Sequence, residues 1–340
     1  MHRRTARPGW RARSLAERGP RVARILVTGG VGFIGYHATR ALLARGDDVV
    51  VVDDFSDHPY PRQEKLRNEA DLQAEFPRLG VVRGCVTDRA AMAPLVAGAE
   101  IVLHLAGLAG VRPSFVDPAA YARVNVEGTA VVQELARQRG IERFLFASSS
   151  SVYGNATPLP AREDAPAVVP ESPYAASKRA AELIASSLCL SAPAMRCTAL
   201  RFFTVYGPRQ RPEMAITRFM RAAVASQPIT VFGEGSMRRD FTHVDDIVRG
   251  VLAALDATGP PGFRAYNLGS GAPIDLRSLI EAIAATTGAP LRVQNVPVPL
   301  GDVDATFADI ARARDELGWA PRIALPEGLS TVLAWVRDHP

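Results

Sequence analysis

Cysteine, lysine and long apolar segments are scarce in this sequence. Its 340 residues include three cysteines without metal-ligand spacing, so we expect no disulfide framework, no metal site and a reducing compartment such as the cytoplasm. No apolar run reaches the roughly 18 residues that a membrane-spanning helix needs, so we expect no membrane segment.

A net positive charge is also missing outside the N-terminus, although the formal net charge of the whole chain is +5. Residues 1–24 hold eight arginines and one glutamate, a net of +7, which leaves a net of −2 for the remainder. The folded body therefore has no basic excess for nucleic acid. We expect residues 1–22 to form a disordered basic tail. A nucleic-acid-binding arm is the alternative, and its deletion should leave any enzyme activity intact.

Only two of the 40 basic residues are lysines, Lys65 and Lys178. Lys178 lies four residues after Tyr174, and residues four apart share one face of a helix, so the phenol and the ammonium point the same way. Tyrosine has a pKa of about 10, and a neighbouring cation favours the phenolate. The pair therefore predicts a general base, with a hydroxyl supplied by the serine run 148–151.

Short apolar runs alternate with helical stretches through the first half of the chain. This alternation is typical of a parallel sheet covered on both faces, so we predict a Rossmann-type doubly wound α/β fold. The predicted strands are Ile25–Thr28, Val49–Val52, Val81–Arg83, Ile101–Leu105, Phe144–Ser148, Thr198–Phe202, Ile229–Phe232 and Ala265–Leu268. The predicted helices are Gly32–Arg45, Ala90–Val96, Pro118–Arg139, Pro173–Cys189, Met214–Ser226, Val244–Leu255, Leu276–Thr287 and Leu325–Val336.

The alternation loosens after about residue 203, where prolines and glycines separate shorter elements. We predict a Rossmann domain over residues 23–203 and a smaller C-terminal α/β domain, mainly for a substrate, over residues 204–340. Two stretches of the second part, Val244–Leu255 and Ala265–Leu268, are candidates for returning to the first domain.

A glycine-rich segment follows the first predicted strand and opens the first predicted helix. Gly29 permits a tight turn, Gly32 lets the backbone approach a pyrophosphate, and Gly35 lets the helix pack against the strand. Free N–H groups and a partial positive charge at the helix N-terminus attract phosphates. This segment, which includes Phe33 and Ile34, predicts a dinucleotide site.

Further residues fit the same site. Asp53 ends the second predicted strand, where a carboxylate accepts hydrogen bonds from the adenosine ribose and repels a 2′-phosphate, which favours NAD over NADP. We expect Asn125 to bond to backbone near the cofactor, and His104 to be a core residue rather than a catalyst. The fourth strand runs into residues that let a cofactor come close: Leu105, Ala106 and Gly107.

Over about residues 23–338, these motifs together resemble the extended short-chain dehydrogenase/reductase family of NAD-dependent nucleotide-sugar epimerases. The resemblance implies that NAD stays bound and that Tyr174 removes a proton from a sugar hydroxyl. It implies that Lys178 binds the nicotinamide ribose and that Ser149 relays the proton. It also implies a homodimer formed through the helices Pro118–Arg139 and Pro173–Cys189.

One position departs from the family pattern. The family usually has an aspartate after the glycine that ends the third strand, where it holds the adenine amino group, but Cys85 follows Gly84 here. The backbone of Val86 can still bind the ring, so we expect weaker adenine anchoring rather than loss of binding. The resemblance also implies a cofactor contact from Phe203.

The two residues after the relay hydroxyl separate the branches of the family. Related 4,6-dehydratases have an Asp-Glu-like pair there and related decarboxylases have a glutamate at the second position. Here the residues are Ser150 and Ser151, which cannot act as acid and base near neutral pH. Epimerisation needs neither, because a 4-keto intermediate turns over and hydride returns to its other face. The resemblance therefore favours a 4-epimerase.

Residues 201–214 resemble the corresponding segment of the UDP-glucuronate 4-epimerase branch. By that resemblance Thr204 and Arg211, helped by Ser150 and Ser151, hold the C5 carboxylate, which suits the planar fork of an arginine. The residues expected around the nucleotide are Arg239 at the diphosphate, Asp302 at the ribose, Phe232 at the uracil and Arg112 opposite them.

Two alternatives remain open at this stage. A UDP-glucose 4-epimerase, or an epimerase of another UDP-hexose, has the same chemistry without the carboxylate. A non-catalytic NAD-binding sensor has the same fold, although such proteins usually lose the Tyr/Lys pair that is intact here.

Overall fold

The computed structural model describes residues 23–58, 60–167, 169–297 and 301–339. The predicted basic tail, residues 1–22, lies outside the described residues. Within the described ranges, no helix combines the length and the apolar character that crossing a bilayer requires.

Eight of the thirteen strands in the described chain begin and end within three residues of the predicted bounds, and the other five, all short, were not predicted. They are β1 (Arg24–Thr28), β2 (Asp48–Asp53), β3 (Gly80–Arg83), β4 (Ile101–His104), β5 (Arg143–Ser149), β6 (Arg196–Phe202), β7 (Thr204–Tyr206), β8 (Ile229–Phe232), β9 (Arg238–Arg239), β10 (Phe241–His243), β11 (Gly262–Leu268), β12 (Ile274–Asp275) and β13 (Val293–Val296).

The helices cover both faces of the main sheet and build the second lobe. They are α1 (Phe33–Ala44), α2 (Arg62–Glu75), α3 (Arg89–Ala97), α4 (Val111–Val116), α5 (Pro118–Tyr121), α6 (Gly128–Gln138), α7 (Pro173–Cys189), α8 (Ala215–Val224), α9 (Val244–Asp256), α10 (Leu276–Thr287), α11 (Ala311–Leu317) and α12 (Leu325–Asp338).

A seven-stranded parallel sheet is the central layer of the described chain. Its strand order is β11-β6-β5-β4-β1-β2-β3, and each neighbouring pair is parallel. The order reverses between β1 and β4, and in doubly wound sheets ligands bind at the carboxyl ends of the strands beside this point. The predicted Rossmann-type α/β fold is confirmed.

A smaller lobe has its own apolar core, built from Phe219 on α8, Leu279 on α10, Leu333 on α12 and Ile229 on β8. The main sheet nevertheless recruits chain from beyond residue 204, because β11 pairs with β6 along its whole length. Helix α9 packs against α1. The domain boundary at residue 203 stays a prediction.

One predicted helix is divided in the structure, and three helices of the described chain, α2, α4 and α11, were not predicted. The stretch Pro118–Arg139 is not one α-helix, because a π-helical segment, Ala122–Glu127, separates α5 from α6. Helix α2 was not predicted at all, because only Leu72 of its three buried residues is apolar and the other two are Lys65 and Asn68. A helix with so little apolar surface has no amphipathic pattern to detect.

Candidate active site

A cavity of about 740 Å³ lies along the carboxyl ends of the main-sheet strands and extends into the smaller lobe. Every residue predicted to contact cofactor or substrate, or to act in catalysis, lines this cavity, with the exception of Asn125. Residues far apart in the sequence therefore meet around a single space.

The glycine-rich turn between β1 and α1 forms a narrow cradle at one end. Gly29 has a φ of 70°, a left-handed conformation that favours glycine, and a Cβ there would lie 2.6 Å from the Ala106 backbone nitrogen. A Cβ on Gly35 would collide with the carbonyl oxygen of Gly29. Gly32 precedes the first turn of α1. Only backbone atoms fit into this cradle. The N–H groups at the N-terminus of α1 can therefore approach a pyrophosphate closely.

Asp53 lies at the end of β2, as predicted, but it has a cationic neighbour that the sequence did not reveal. Its Oδ1 accepts a hydrogen bond from the Phe55 N–H (3.0 Å) and lies 3.6 Å from Lys65 Nζ. Burial raises the pKa of Asp53, and the positive charge of Lys65 acts against that rise. Lys65 also lines the cavity and donates to Ser56 Oγ (3.2 Å).

Asn125 lies behind the cavity wall rather than in it. Its Oδ1 accepts a hydrogen bond from the Leu108 N–H (2.7 Å) and its Nδ2 donates to the Leu108 carbonyl (2.9 Å). Asn125 thus holds the backbone of the loop that follows β4, beside Gly107. The expected bond to backbone is present, and the assignment of Asn125 to the cofactor site stays a prediction.

His104 is buried in the core, with its two ring nitrogens 2.7 Å from Thr28 Oγ1 and 3.1 Å from Thr129 Oγ1. Burial lowers the pKa of His104 to about 3, and the neighbouring charge of Lys178 acts in the same direction. A neutral, fully bonded histidine fits the predicted structural role.

Helix α7 carries the predicted catalytic pair into the middle of the cavity. Its first turn is capped by Ser172, whose Oγ accepts from the Ala175 N–H (3.1 Å). Tyr174 and Lys178 follow on the same face, and both line the cavity. The Tyr121 ring packs edge-on against Tyr174, with centroids 6.1 Å apart.

Lys178 is deeply buried, and its Nζ donates to the Ala147 carbonyl (2.9 Å) at the end of β5. Burial lowers its pKa to about 8, while the charge of Glu182, one turn further along α7, acts to raise it. Glu182 is in turn fixed by Arg201 through paired hydrogen bonds of 2.8 Å. The ammonium thus has a defined position at the wall of the cavity.

The pKa of Tyr174 differs from the expectation that a neighbouring cation would lower it. Burial of the phenol raises its pKa, while the Ser149 hydroxyl and the positive charge of Arg211 act in the opposite direction. The difference has a physical reason, because desolvation penalises the phenolate and the Lys178 ammonium is bonded to backbone.

The three predicted serines follow each other at the end of β5. Ser149 Oγ donates to Ser151 Oγ (3.1 Å) and accepts from the Ser151 N–H (3.1 Å). Ser149, Ser150 and Ser151 all line the cavity beside Tyr174. The serines at this strand end therefore present hydroxyl groups, and no carboxylate, to a bound molecule.

Arg211 enters the cavity from the loop after β7, and Thr204 lies at the start of that strand. Arg211 Nη1 is 3.0 Å from Glu213 Oε1, in an orientation that makes no hydrogen bond. A buried guanidinium nitrogen without a hydrogen-bond acceptor is costly, and a bound carboxylate would satisfy it.

The far end of the cavity brings together the four residues expected around a nucleotide. The Arg112 guanidinium stacks on the Phe232 ring, 4.1 Å from its centroid. Asp302 lies between two arginines, 3.5 Å from Arg239 and 3.9 Å from Arg112. An aromatic face, two cations and one carboxylate match the chemistry of a base, a diphosphate and a ribose.

Sequence reasoning missed two cations at this cavity. Arg218 on α8 lies near Phe232 and donates to the Thr230 carbonyl (2.8 Å), and Lys65 lies at the opposite end. Only the rarity of lysine pointed to Lys65; nothing in the sequence distinguished Arg218 from the other arginines. Cys85 does not line the cavity, and its sulfur lies 3.1 Å from Thr87 Oγ1, whereas Gly84 and Val86 do line it.

A family model described as the NAD dependent epimerase/dehydratase family matches residues 25–269. A UDP-glucuronate 4-epimerase of Thermodesulfobacterium geofontis is 35% identical over 322 residues, which cover 92% of this chain and 96% of that protein. A crystal structure of the UDP-glucuronic acid 4-epimerase of Bacillus cereus, with UDP-glucuronic acid and NAD, aligns with a TM-score of 0.87 at 31% identity. That alignment covers 93% of this chain and 99% of the other.

A structure of MoeE5 in complex with UDP-glucuronic acid and NAD is also similar. It aligns with a TM-score of 0.82 and 36% identity, over 93% of this chain and all of that one. Similarity of this extent runs through both lobes, so it includes both ends of the cavity.

Proposed function

The chain belongs to the NAD-dependent epimerase/dehydratase family, and we propose that it is a UDP-glucuronate 4-epimerase. It interconverts UDP-glucuronate and UDP-galacturonate through a 4-keto intermediate, with NAD as its cofactor. The observation that carries the proposal is that one cavity joins Tyr174, Lys178 and Ser149 to Arg211. Serines instead of an acid–base pair at positions 150 and 151 support epimerisation over elimination.

The residues of the cofactor end fit NAD, because Gly29 and Gly35 allow a backbone approach that any Cβ would block, and this close turn leaves the N-terminus of α1 open to a pyrophosphate. Asp53 and Lys65 would meet the adenosine ribose, and Val86 the adenine. Bound NAD would accept a hydride from C4 of the sugar and later return it. In its oxidised form it also supplies a positive charge that favours the Tyr174 phenolate.

The protein groups move the proton and orient the sugar. Tyr174 takes the proton of the C4 hydroxyl and returns it after the ketone has turned, and Ser149 is the neighbouring hydroxyl that relays it. Lys178 holds the nicotinamide ribose and places a positive charge near the phenol. Each of these roles is a proposal supported by the shared cavity wall.

Arg211 and Thr204 hold the C5 carboxylate, with Ser150 and Ser151 beside it. Oxidation at C4 makes a β-keto acid, which loses carbon dioxide easily when its carboxylate bond aligns with the carbonyl π system. A guanidinium that binds both carboxylate oxygens fixes that group near the ring plane and so protects the intermediate.

The direct test is to incubate the purified enzyme with UDP-glucuronate and to identify the product by NMR. We expect UDP-galacturonate, and a Tyr174→Phe variant should lose about 10³-fold in kcat because a general base contributes roughly 10²–10⁴-fold. A parallel incubation with UDP-glucose is the control for the neutral sugar. Epimerisation of UDP-glucose alone would overturn the assignment, and so would a product lacking the carboxylate.

We also propose that the enzyme is a cytoplasmic homodimer. Leu183 on α7 is 54% exposed and Leu190, just beyond the helix, is 89% exposed. Helix α7 is also one of the two helices expected at the dimer interface. An apolar patch on that helix is best covered by a second copy. All three cysteines are free, which fits a reducing compartment. Leu183→Glu should convert a dimer to a monomer in sedimentation, with wild type as the control.

A further inference from the structure

Arg209 lies outside the cavity, two residues before Arg211, in the loop that we call the substrate loop (residues 207–214). Its φ is 67°, a left-handed backbone conformation that is unfavourable for a residue with a side chain. Such a conformation persists only where the surroundings hold it, so the contacts of the Arg209 side chain are informative.

Three of those contacts tie Arg209 to the cofactor half of the molecule, and a fourth, with Trp335, is made to the smaller lobe. Its Nη1 donates to Asn68 Oδ1 (2.6 Å) and its Nη2 donates to Asp71 Oδ2 (2.5 Å), both on α2. The guanidinium is stacked between two rings, 3.9 Å from the Tyr36 centroid on α1 and 4.5 Å from the Trp335 ring on α12. Planar stacking, together with two fixed donors that reach acceptors on two residues, is what arginine supplies and lysine does not.

Asn68 continues the connection into the glycine-rich turn. It is buried, and its Nδ2 donates to the Val31 carbonyl (2.9 Å), between Gly29 and Gly35. A second link runs in parallel, because His37 on α1 is hydrogen-bonded to the Pro208 carbonyl (3.0 Å). The turn that cradles the cofactor and the loop that carries Arg211 are thus joined behind the cavity wall.

We propose that Arg209 is a positioning residue that fixes the substrate loop against the cofactor turn and so sets the preference for an acidic sugar. The inference rests on the proposed function, because it acts through the grip of Arg211 on the carboxylate. Arg209 itself does not line the cavity. A displacement of Arg211 by about 1 Å would suffice to weaken a bidentate contact strongly.

A purely structural role predicts something different. If Arg209 only stabilised the fold, its removal would lower the melting temperature and would affect acidic and neutral sugars equally. If it positions Arg211, its removal weakens binding of the uronate and leaves the neutral sugar unchanged. The ratio of the two affinities therefore separates the two roles.

The experiment uses NAD-loaded protein in a Tyr174→Phe background, so that ligands bind without turnover. Calorimetry gives the Kd of UDP-glucuronate and of UDP-glucose for this parent and for the parent carrying Arg209→Ala. We expect about tenfold weaker binding of UDP-glucuronate, equivalent to about 1.4 kcal/mol, with UDP-glucose changed by less than about twofold.

Two further variants accompany it. Arg40→Ala is the matched control, because Arg40 on α1 forms a similar paired contact with Glu75 on α2, at 2.7 and 2.9 Å, without reaching the substrate loop. It should leave the ratio unchanged. Asp71→Ala removes one partner of Arg209 at a half-exposed position, so we expect this variant to fold. It should shift the ratio of the UDP-glucuronate and UDP-glucose affinities by about threefold, in the same direction as Arg209→Ala.

The outcomes are distinct. If the parent itself does not prefer UDP-glucuronate, the proposed function fails. If the parent prefers it and Arg209→Ala weakens both ligands equally, or neither, the positioning role is overturned. If Arg209→Ala does not fold, an unchanged ratio in Asp71→Ala overturns the positioning role on its own.

Discussion

The two ends of the cavity are built in opposite ways. The cofactor end is made of turns that follow consecutive strands of one sheet, and its close contacts are between backbone atoms, as at Gly29 and Ala106. The substrate end is made of side chains from separate loops, such as Arg112 and Asp302. Backbone atoms set the shape of the cofactor end, and paired charged side chains set the shape of the substrate end.

This difference predicts how each end tolerates change. The backbone atoms of the cradle are closely packed, so one added methyl group displaces the main chain. A wall made of arginine side chains keeps its fold when one is removed and loses only the contact which that side chain makes. Substitutions at the cofactor end should therefore change NAD binding, and substitutions at the substrate end should change kcat/KM for the UDP-sugar.

The largest effect is expected at Gly35. Gly35→Ala places a Cβ against the Gly29 carbonyl, and overpacking of this kind costs roughly 3 kcal/mol. Because the displaced main chain is the backbone that approaches NAD, the Kd of NAD should rise by about 100-fold, since each 1.4 kcal/mol is tenfold. Bound nicotinamide after gel filtration measures it. Gly80→Ala is the control, because its Cβ would lie at an ordinary 3.8 Å from Val50. Full NAD content in Gly35→Ala would break the comparison.

The next largest effect is expected at the substrate end. Arg211→Ala should lower kcat/KM for UDP-glucuronate by about 30-fold, because the uronate loses a charge-assisted contact of roughly 2 kcal/mol. NAD content and melting temperature should stay at the wild-type level. A decarboxylated pentose product should appear in the NMR spectrum. Wild-type rate and products with UDP-glucuronate would contradict the role given to Arg211.

Lys178 lies where the two ends meet, and there stability and function conflict. Burial lowers its pKa from 10.5 to about 8, so below pH 8 the folded protein holds a charge that its site disfavours. Lys178→Met should abolish turnover yet raise the free energy of unfolding by about 1 kcal/mol at pH 7, since the lost hydrogen bond to Ala147 offsets part of the roughly 3 kcal/mol burial penalty.

The pH dependence of that difference has a definite sign. Between pH 8 and 10.5 the unfolded chain binds more protons at this lysine than the folded one, so wild-type stability rises with pH across the interval. The advantage of Lys178→Met should therefore shrink from pH 8 upward. Melting curves of both proteins at several pH values measure it, and an advantage that grows with pH would contradict the assignment.

The smallest effect is expected at Cys85. Cys85→Asp restores the carboxylate that the family usually places beside adenine, and one further hydrogen bond should tighten NAD binding by about threefold. Dissociation of NAD during dialysis measures it, with Cys85→Ala as the control. Equal retention in both variants would show that the Cys85 side chain has no bearing on the adenine.

Local motifs led to the residues proposed for the cofactor end, and those proposed for the substrate end depended on resemblance. Gly29 and Asp53 were found because strand ends and turns have short-range signatures. Arg218 was missed because arginine is the common cation of this chain, so only packing near Phe232 distinguishes it. Helix α2 was missed because its buried face is largely polar.

The sequence by itself determined all seven strands of the main sheet and most of its helices, the glycine cradle, and the pairing of Tyr174 with Lys178 on one helical face. These depend on neighbours within a few residues, so pattern suffices. Only the tertiary structure decided that Asp302 lies between Arg112 and Arg239, and that Arg209 reaches Asn68. Those contacts join distant parts of the chain, and no local preference specifies which arginine meets which carboxylate.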